Sequence, residues 1–262
     1  MPAALFFQFT SLLASVAMVP LLLGYLGTQQ YLLWTVFTTA GGLTLQLESA
    51  IQTLMTRRIA PHHAASAGAP LLREQQRAAA AYRLLSLSIL LLLLPAGWLY
   101  IDRFAAGGLA LWGWQGWALA WLFFTTAYAI NYLFGANNVL LLGTARTDSF
   151  YWASSASRIL NIALTAAALL LGFQLLGVSV SFFLSVVANV TIILLLASAA
   201  RRAIVAGNSK DGKPVTVGRQ PDGAGSSGIG RYALFTFGAF LLYRGAFLLV
   251  VGRLPADEAA AW

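Results

Sequence analysis

Seven stretches of the chain consist of about twenty consecutive, predominantly apolar residues. They cover residues 3–26, 31–53, 80–101, 117–142, 152–173, 177–199 and 232–252. A helix of about 20 apolar residues spans the hydrocarbon core of a bilayer. The pattern therefore predicts an all-α integral membrane protein with seven transmembrane helices. The first stretch has no basic start and is too long for the apolar core of a signal peptide, so it is predicted as a helix of the mature protein.

Composition supports this class. Hydrophobic residues make up 59% of the 262 residues and charged residues only 9%, whereas soluble domains carry about 25% charged residues. The absence of cysteine excludes disulfides and thiolate sites. The net charge is +8. In a membrane protein, surplus Lys and Arg residues are expected in the cytoplasmic loops, so we predict no nucleic-acid partner. We predict no cofactor or metal site either, and adjacent His62 and His63 lack the four-residue spacing of a helical metal site.

Basic residues are distributed unequally between the two sets of loops. One side and its helix ends receive Arg57, Arg58, Arg73, Arg77, Arg83, Arg146, Arg158, Arg201, Arg202, Lys210, Lys213, Arg219 and Arg231. The opposite side receives Arg103 and Arg253, and Arg244 lies within the seventh stretch. The positive-inside rule therefore predicts a cytoplasmic N-terminus.

Residues 201–230 form the one long polar interruption and are rich in Gly, Ser, Lys and Asp. This composition predicts a flexible cytoplasmic linker. Gly223, Gly225 and Gly228 match a GxGxxG pattern, but a nucleotide site requires a preceding strand in a βαβ unit. The predicted organisation is a six-helix bundle (1–200), a linker (201–230) and one further helix (231–262).

The last helix repeats features of the first. "PLLLGYLGTQQYLLW" (20–34) aligns with "LLVVGRLPADEAAAW" (248–262) when shifted by 228 positions, which superposes Gly24 on Gly252 and Trp34 on Trp262. Transporters are often built from two similar halves. The pattern therefore predicts a six-helix N-terminal half-bundle followed by the first helix of a second, similar half.

The segment "LLWTVFTTAGGLTLQLESAIQTLMTRRIA" resembles helix 2 of the lipid-linked oligosaccharide flippases. These are polysaccharide transporters of the multidrug/oligosaccharidyl-lipid/polysaccharide exporter superfamily. The matching features are the Tyr31 and Trp34 entry, the small-residue middle, Leu47-Glu48-Ser49 and the basic pair Arg57-Arg58. Glu48 replaces the usual Asp, and the following Gly is missing. "ANNVLLLGTARTD", "LLLGFQLLGVSVSFFLS" and "FLLYRGAFLLVVGRLPADEAAAW" resemble later parts of the family. Because the family has twelve to fourteen helices, the resemblance implies a chain shortened at its C-terminus.

The resemblance implies that the protein flips an undecaprenyl-diphosphate-linked oligosaccharide, as in O-antigen synthesis, from the cytoplasmic to the outer leaflet of the bacterial inner membrane. The implied coupling ion is a proton or sodium, whose gradient would drive transport. It also implies transport by alternating access and no enzymatic activity. Three alternatives stay open: a multidrug or cation antiporter of the same superfamily, an integral-membrane polysaccharide polymerase or glycosyltransferase, and a membrane scaffold that does not transport.

Such a substrate requires cations for its diphosphate and polar groups at membrane depth. The candidate substrate-binding residues are Arg244, Glu48, Arg57, Arg58, Arg158 and Asn131. Arg244 either holds the diphosphate, extends towards the interface or pairs with an acid such as Glu48. Glu48 either forms an ion pair, contacts a gate or couples transport to a cation. The alternative for Asn131, and for the other intramembrane asparagines, is hydrogen bonding between helices.

Overall fold

The computed structural model describes residues 2–102 and 113–208. Within these ranges the chain is helical and contains no strand. The helices are α1 (Pro2–Ala64), α2 (Gly68–Ser88), α3 (Leu94–Tyr100), α4 (Gly113–Leu133), α5 (Ala136–Gly143), α6 (Thr147–Leu170) and α7 (Gln174–Asn208), with a π-helical turn (Ile89–Leu93) joining α2 to α3. The predicted all-α fold is confirmed for this part of the chain.

Helix α1 is two helical segments that meet at Gly27. This glycine has non-helical dihedral angles of φ 70° and ψ 168°, in a region that residues with a Cβ rarely adopt. The first segment (2–26) begins beside α6, where Phe7 contacts Tyr151. The second segment (28–64) begins at the far end, where the Gln30 side-chain oxygen accepts a 3.1 Å hydrogen bond from the Leu175 backbone N–H. The chain therefore passes through the bundle twice within α1.

The remaining helices continue this alternation. The Trp121 indole N–H donates a 2.9 Å hydrogen bond to the Leu94 carbonyl, which places the end of α2–α3 beside the start of α4. Arg201 near the end of α7 bonds to Asn137 in α5. Taking α2–α3 and α4–α5 as one pass each, the described residues contain six passes in alternating directions.

The lengths and composition of these passes suit a bilayer. Among the described residues, four helices are long and apolar enough to cross a membrane, and a fifth span is added if α4 and α5 form one span together. Helix α1 counts once among them, although its 63 residues correspond to about 95 Å at 1.5 Å per residue. Since the hydrocarbon core is about 30 Å thick, its two segments are two spans. The prediction of several helices of membrane length is confirmed for residues 2–102 and 113–208.

The two ends of the bundle differ in charge. Arg58 and Arg77 both approach the Glu74 carboxylate, and Arg201 donates to the Gln75 side chain at 3.3 Å. Because these contacts join α1, α2 and α7, they bring the arginine-rich ends of three helices together. We call this the basic end; it comprises Arg57, Arg58, Arg73, Arg77, Arg146, Arg201 and Arg202. Gln30, Trp117 and Leu175 mark the opposite end.

Two clusters of buried apolar side chains form the interior. Near the opposite end, the Phe37 ring packs 5.0 Å from Trp121 and 5.5 Å from Phe124. Near the basic end, Ile59, Tyr82 and Tyr132 are fully buried. The aromatic side chains join the second pass of α1 to α4, so the central helices are held firmly against each other.

The structure differs from the sequence-based spans at several boundaries. The predicted span 117–142 is not continuous, because α4 and α5 bend by 44° where Gly135 lies against the Tyr82 ring. The span predicted to end at residue 53 continues to Ala64. Helix α7 continues to Asn208, eight residues into the predicted linker, where Arg201 is bonded to α2 and α5. The rest of the linker, the GxGxxG pattern and residues 231–262 lie outside the described residues.

Candidate functional site

Glu48 is the acidic residue in the middle of the second pass of α1. Its side chain is half-buried, and it lies four residues after Thr44, on the same face of the helix. The Thr44 hydroxyl is 2.9 Å from the Tyr132 hydroxyl, and Tyr82 and Tyr128 belong to the same packed cluster as Tyr132. These tyrosines belong to α2 and α4. Glu48 therefore faces the neighbouring helices of the bundle. We call Glu48 and the three tyrosines the Glu48–tyrosine cluster.

Two glycines and a threonine position the cluster. A Cβ on Gly41 would lie 2.6 Å from the Tyr128 ring, and one on Gly135 would lie 2.4 Å from the Tyr82 ring. At each position, the absence of a side chain allows a tyrosine ring to pack directly against the helix backbone. The Thr44 hydroxyl is 2.7 Å from the Gly41 carbonyl and 2.9 Å from the Tyr132 hydroxyl. Since Thr44 has one proton and donates it to the carbonyl, Tyr132 donates to Thr44.

The cluster contains polar groups that the described residues leave unsatisfied. Glu48 forms no ion pair or hydrogen bond within residues 2–102 and 113–208. The Tyr82 hydroxyl is buried and has no hydrogen-bond partner in the same ranges. A charged side chain at the centre of a membrane helix costs about 2.5–3.5 kcal/mol on insertion scales. A carboxylate beside aromatic rings is an arrangement that attracts cations.

Arg158 is a second charged group on a membrane-length helix, and it is half-buried. It lies eleven residues beyond Thr147, the start of α6, which is about 16 Å along the helix. Its guanidinium carbon is 4.5 Å from the centre of the Phe7 ring, and one of its terminal nitrogens is 3.5 Å from the Phe7 carbonyl oxygen. No carboxylate among the described residues pairs with it. Arg158 lies within the predicted span 152–173 and within α6 in the structure.

The other predicted site residues lie apart from these two groups. Arg57 and Arg58 are exposed at the basic end, where Arg58 is 4.0 Å from Glu74. Asn131 is half-buried on α4, next to Tyr132. Arg244 lies outside the described residues. Glu48 faces α2 and α4 whereas Arg158 packs against the first pass of α1, so the structure does not join the candidates into one site.

The remaining intramembrane amides have several arrangements. Asn137 accepts from Arg201 and donates to the Phe134 carbonyl at 2.8 Å, which is the interhelical bonding stated above as the alternative to a substrate contact. Asn161 accepts a hydrogen bond from Thr165 on the same helix. The Asn189 side-chain oxygen is buried without a partner among the described residues.

The sequence-based site omitted the three tyrosines of the cluster. Their sequence signal is their depth, because tyrosines are enriched at membrane interfaces whereas Tyr128 and Tyr132 lie well inside the predicted span 117–142. Their four-residue spacing also places both on one helix face.

Within residues 2–102 and 113–208, no group of three or more His, Cys, Asp or Glu side chains is arranged to hold a metal ion. Comparison with known protein families, with curated proteins and with solved structures gives no match. Glu48, Arg158 and the arrangement of the helices are the features of the described residues that bear on function.

Proposed function

We propose that this chain forms the N-terminal half-bundle of a membrane transporter that moves an undecaprenyl-diphosphate-linked oligosaccharide between leaflets. In this proposal the six passes are one half, and a second half begins at residue 231. The transporter resides in the bacterial inner membrane with the basic end in the cytoplasm. It moves its substrate by alternating access and carries out no covalent chemistry.

The observation that carries the proposal is the position of Arg158. An arginine at membrane depth without a carboxylate partner is costly, and such residues usually mark a substrate or ion pathway. Within the described residues, the polar and aromatic partners of the Arg158 guanidinium are the Phe7 ring and, at the long distance of 3.5 Å, the Phe7 carbonyl oxygen. Its planar group of N–H donors suits a diphosphate, which accepts parallel hydrogen bonds. The lipid tail of the substrate stays in the bilayer while the polar part crosses beside α6.

Binding selectivity tests this function. Translocation requires two halves to move against each other, whereas binding does not, so affinity is the decisive quantity. We expect the purified protein in neutral detergent to bind undecaprenyl-diphosphate-linked oligosaccharide saturably and undecaprenol at least tenfold more weakly. Native mass spectrometry with both lipids measures this ratio. Equal affinity for the two lipids would exclude recognition of the diphosphate.

The orientation has a separate test, because the chain contains no cysteine. Ser66, in the turn after α1 at the basic end, and Gln174, the first residue of α7 at the opposite end, are exposed and have positive φ values of 52° and 50°. We expect a membrane-impermeant maleimide to label Gln174→Cys but not Ser66→Cys in right-side-out vesicles, and the reverse in inverted vesicles. The two variants control for each other, and the opposite labelling pattern would place the basic end outside.

The Glu48–tyrosine cluster favours one second candidate, export of organic cations by an antiporter of the same superfamily. A half-buried carboxylate and the half-buried ring of Tyr128 provide charge and cation–π attraction together. Tetraphenylphosphonium is a suitable probe of this candidate. Binding of the organic cation without binding of the lipid diphosphate would favour the antiporter, and the reverse would favour the flippase.

A further inference from the structure

A cavity of about 220 Å³ lies at the basic end, separate from both intramembrane charged groups. It forms where the end of α1, the start of α2, the turn between α5 and α6, and α7 meet. His62, His63 and Arg146 line it, and Ala200 and Ala203 of α7 form part of its wall. His63 and Arg146 are exposed, so the cavity is reached from the aqueous side of the bundle.

The side chains that line this cavity have unused capacity for hydrogen bonds. Arg146 makes no side-chain hydrogen bond or ion pair within the described part of the chain. The His62 Nδ1 atom is buried and has no hydrogen-bond partner there. Buried polar groups normally have a partner. Among the described residues, no acidic side chain lines the cavity.

We propose that this cavity binds a phosphate group, carried either by the headgroup of an anionic phospholipid or by free phosphate. The Arg146 guanidinium supplies two parallel N–H donors for phosphate oxygens, and the histidines add imidazole donors. The alanines of α7 leave space for the ligand. The volume is below the 300–1,000 Å³ typical of pockets for drug-sized ligands, which suits a phosphate with a small polar substituent.

The position of the cavity agrees with this ligand. It lies among the ends of helices that carry Arg57, Arg58 and Arg201, and basic pockets between helix ends bind anionic lipid headgroups. This inference does not depend on the proposed transport function, because the cavity contains neither Glu48 nor Arg158. Failure of one proposal therefore leaves the other unaffected.

Two probes identify the source of the phosphate. The delipidated, purified 262-residue protein is titrated with phosphatidylglycerol, with phosphatidylcholine as the zwitterionic control, and binding is followed by native mass spectrometry. Equilibrium dialysis with radiolabelled orthophosphate measures free phosphate. Preferential binding of phosphatidylglycerol alone identifies a lipid headgroup, whereas saturable binding of orthophosphate identifies free phosphate. If neither probe binds, the proposal is wrong.

Variants locate the binding in the cavity. We expect Arg146→Gln to weaken binding about tenfold or more, as for loss of a charge-assisted hydrogen bond. Ala203→Phe leaves the charge unchanged but fills the cavity from an exposed position, so it should weaken binding comparably. Arg202→Gln removes an exposed charge at the same end but outside the cavity lining, and binding should stay within twofold of that of the parent protein.

Two results would contradict the assignment. Binding that is unaffected by both Arg146→Gln and Ala203→Phe would place the phosphate elsewhere. An equal loss in Arg202→Gln and Arg146→Gln, with no effect of Ala203→Phe, would indicate general attraction to the basic end. Circular dichroism and thermal unfolding without ligand show whether each variant is folded. If Arg146→Gln does not fold, Ala203→Phe still tests the site.

Discussion

Arg158→Gln is expected to weaken binding of the undecaprenyl-diphosphate-linked oligosaccharide by about ten- to a hundredfold, the range for a hydrogen bond to a charged group. The physical reason is that glutamine removes the positive charge and most of the donors while keeping a polar side chain. Arg158→Lys should show a smaller loss, because lysine retains the charge but lacks the planar pair of donors. Native mass spectrometry of the detergent-solubilised variants measures the affinities.

Arg83→Gln is the matched control for Arg158→Gln. Arg83 is also an arginine on a membrane-length helix, α2, but it is exposed on the outside of the bundle. Its replacement should leave lipid affinity within twofold. Normal binding by Arg158→Gln would remove Arg158 from the substrate site. Equal losses in the Arg158 and Arg83 variants would show that only total charge matters.

Glu48→Gln is expected to raise stability and to reduce binding of tetraphenylphosphonium at least tenfold. The carboxylate has no ion pair or hydrogen bond within residues 2–102 and 113–208, so its desolvation is not offset there. Removing the charge should stabilise the protein by about 1–3 kcal/mol, on the scale of the insertion cost of a charged residue. Sites used for function commonly reduce stability in this way. Thermal unfolding at pH 8 and cation binding measure the two effects.

Glu74→Gln is the control, because it is expected to change stability in the opposite direction to Glu48→Gln. Glu74 is a buried carboxylate that contacts Arg77 and Arg58, so its neutralisation should lower stability. Because the Arg77 side chain is largely exposed, the loss should be about 1 kcal/mol or less. A loss of stability in Glu48→Gln would contradict the unpaired state. It would favour the alternative in which Glu48 pairs with a cation such as Arg244, which lies outside the described residues.

The depth of the candidate residues was predictable, but their neighbours were not. Apolar runs of membrane length placed Glu48 and Asn131 within spans, because a helix of that length satisfies its own backbone hydrogen bonds in hydrocarbon. The orientation of Glu48 towards the bundle interior also follows from the sequence, because exposing a charged side chain to lipid is costly. The tyrosines around Glu48 come from α2 and α4, and no spacing within one helix indicates which side chains of another helix will face it.

Arg158 shows a second limit of sequence reasoning. The charge distribution of the loops predicts a basic and a less charged side, and the seven arginines gathered at the basic end agree with such an asymmetry. The loop count groups Arg158 with that side, and the predicted span 152–173 places it six residues inside a helix. Neither pattern indicates its contacts, because these depend on which helix packs beside it. Here Phe7, 151 residues earlier, provides both the ring and the carbonyl.

By itself, the sequence determined the class of the protein: the share and periodic grouping of apolar residues require membrane-length helices, since exposed apolar surface and unpaired backbone groups are costly in the wrong solvent. Only the tertiary structure decided the break between α4 and α5 against Tyr82, the continuation of α7 through Arg201, and the cavity at His62 and Arg146. These features arise from contacts between residues far apart in the chain. Such contacts depend on how side chains of different helices fill space together, which local propensity does not encode.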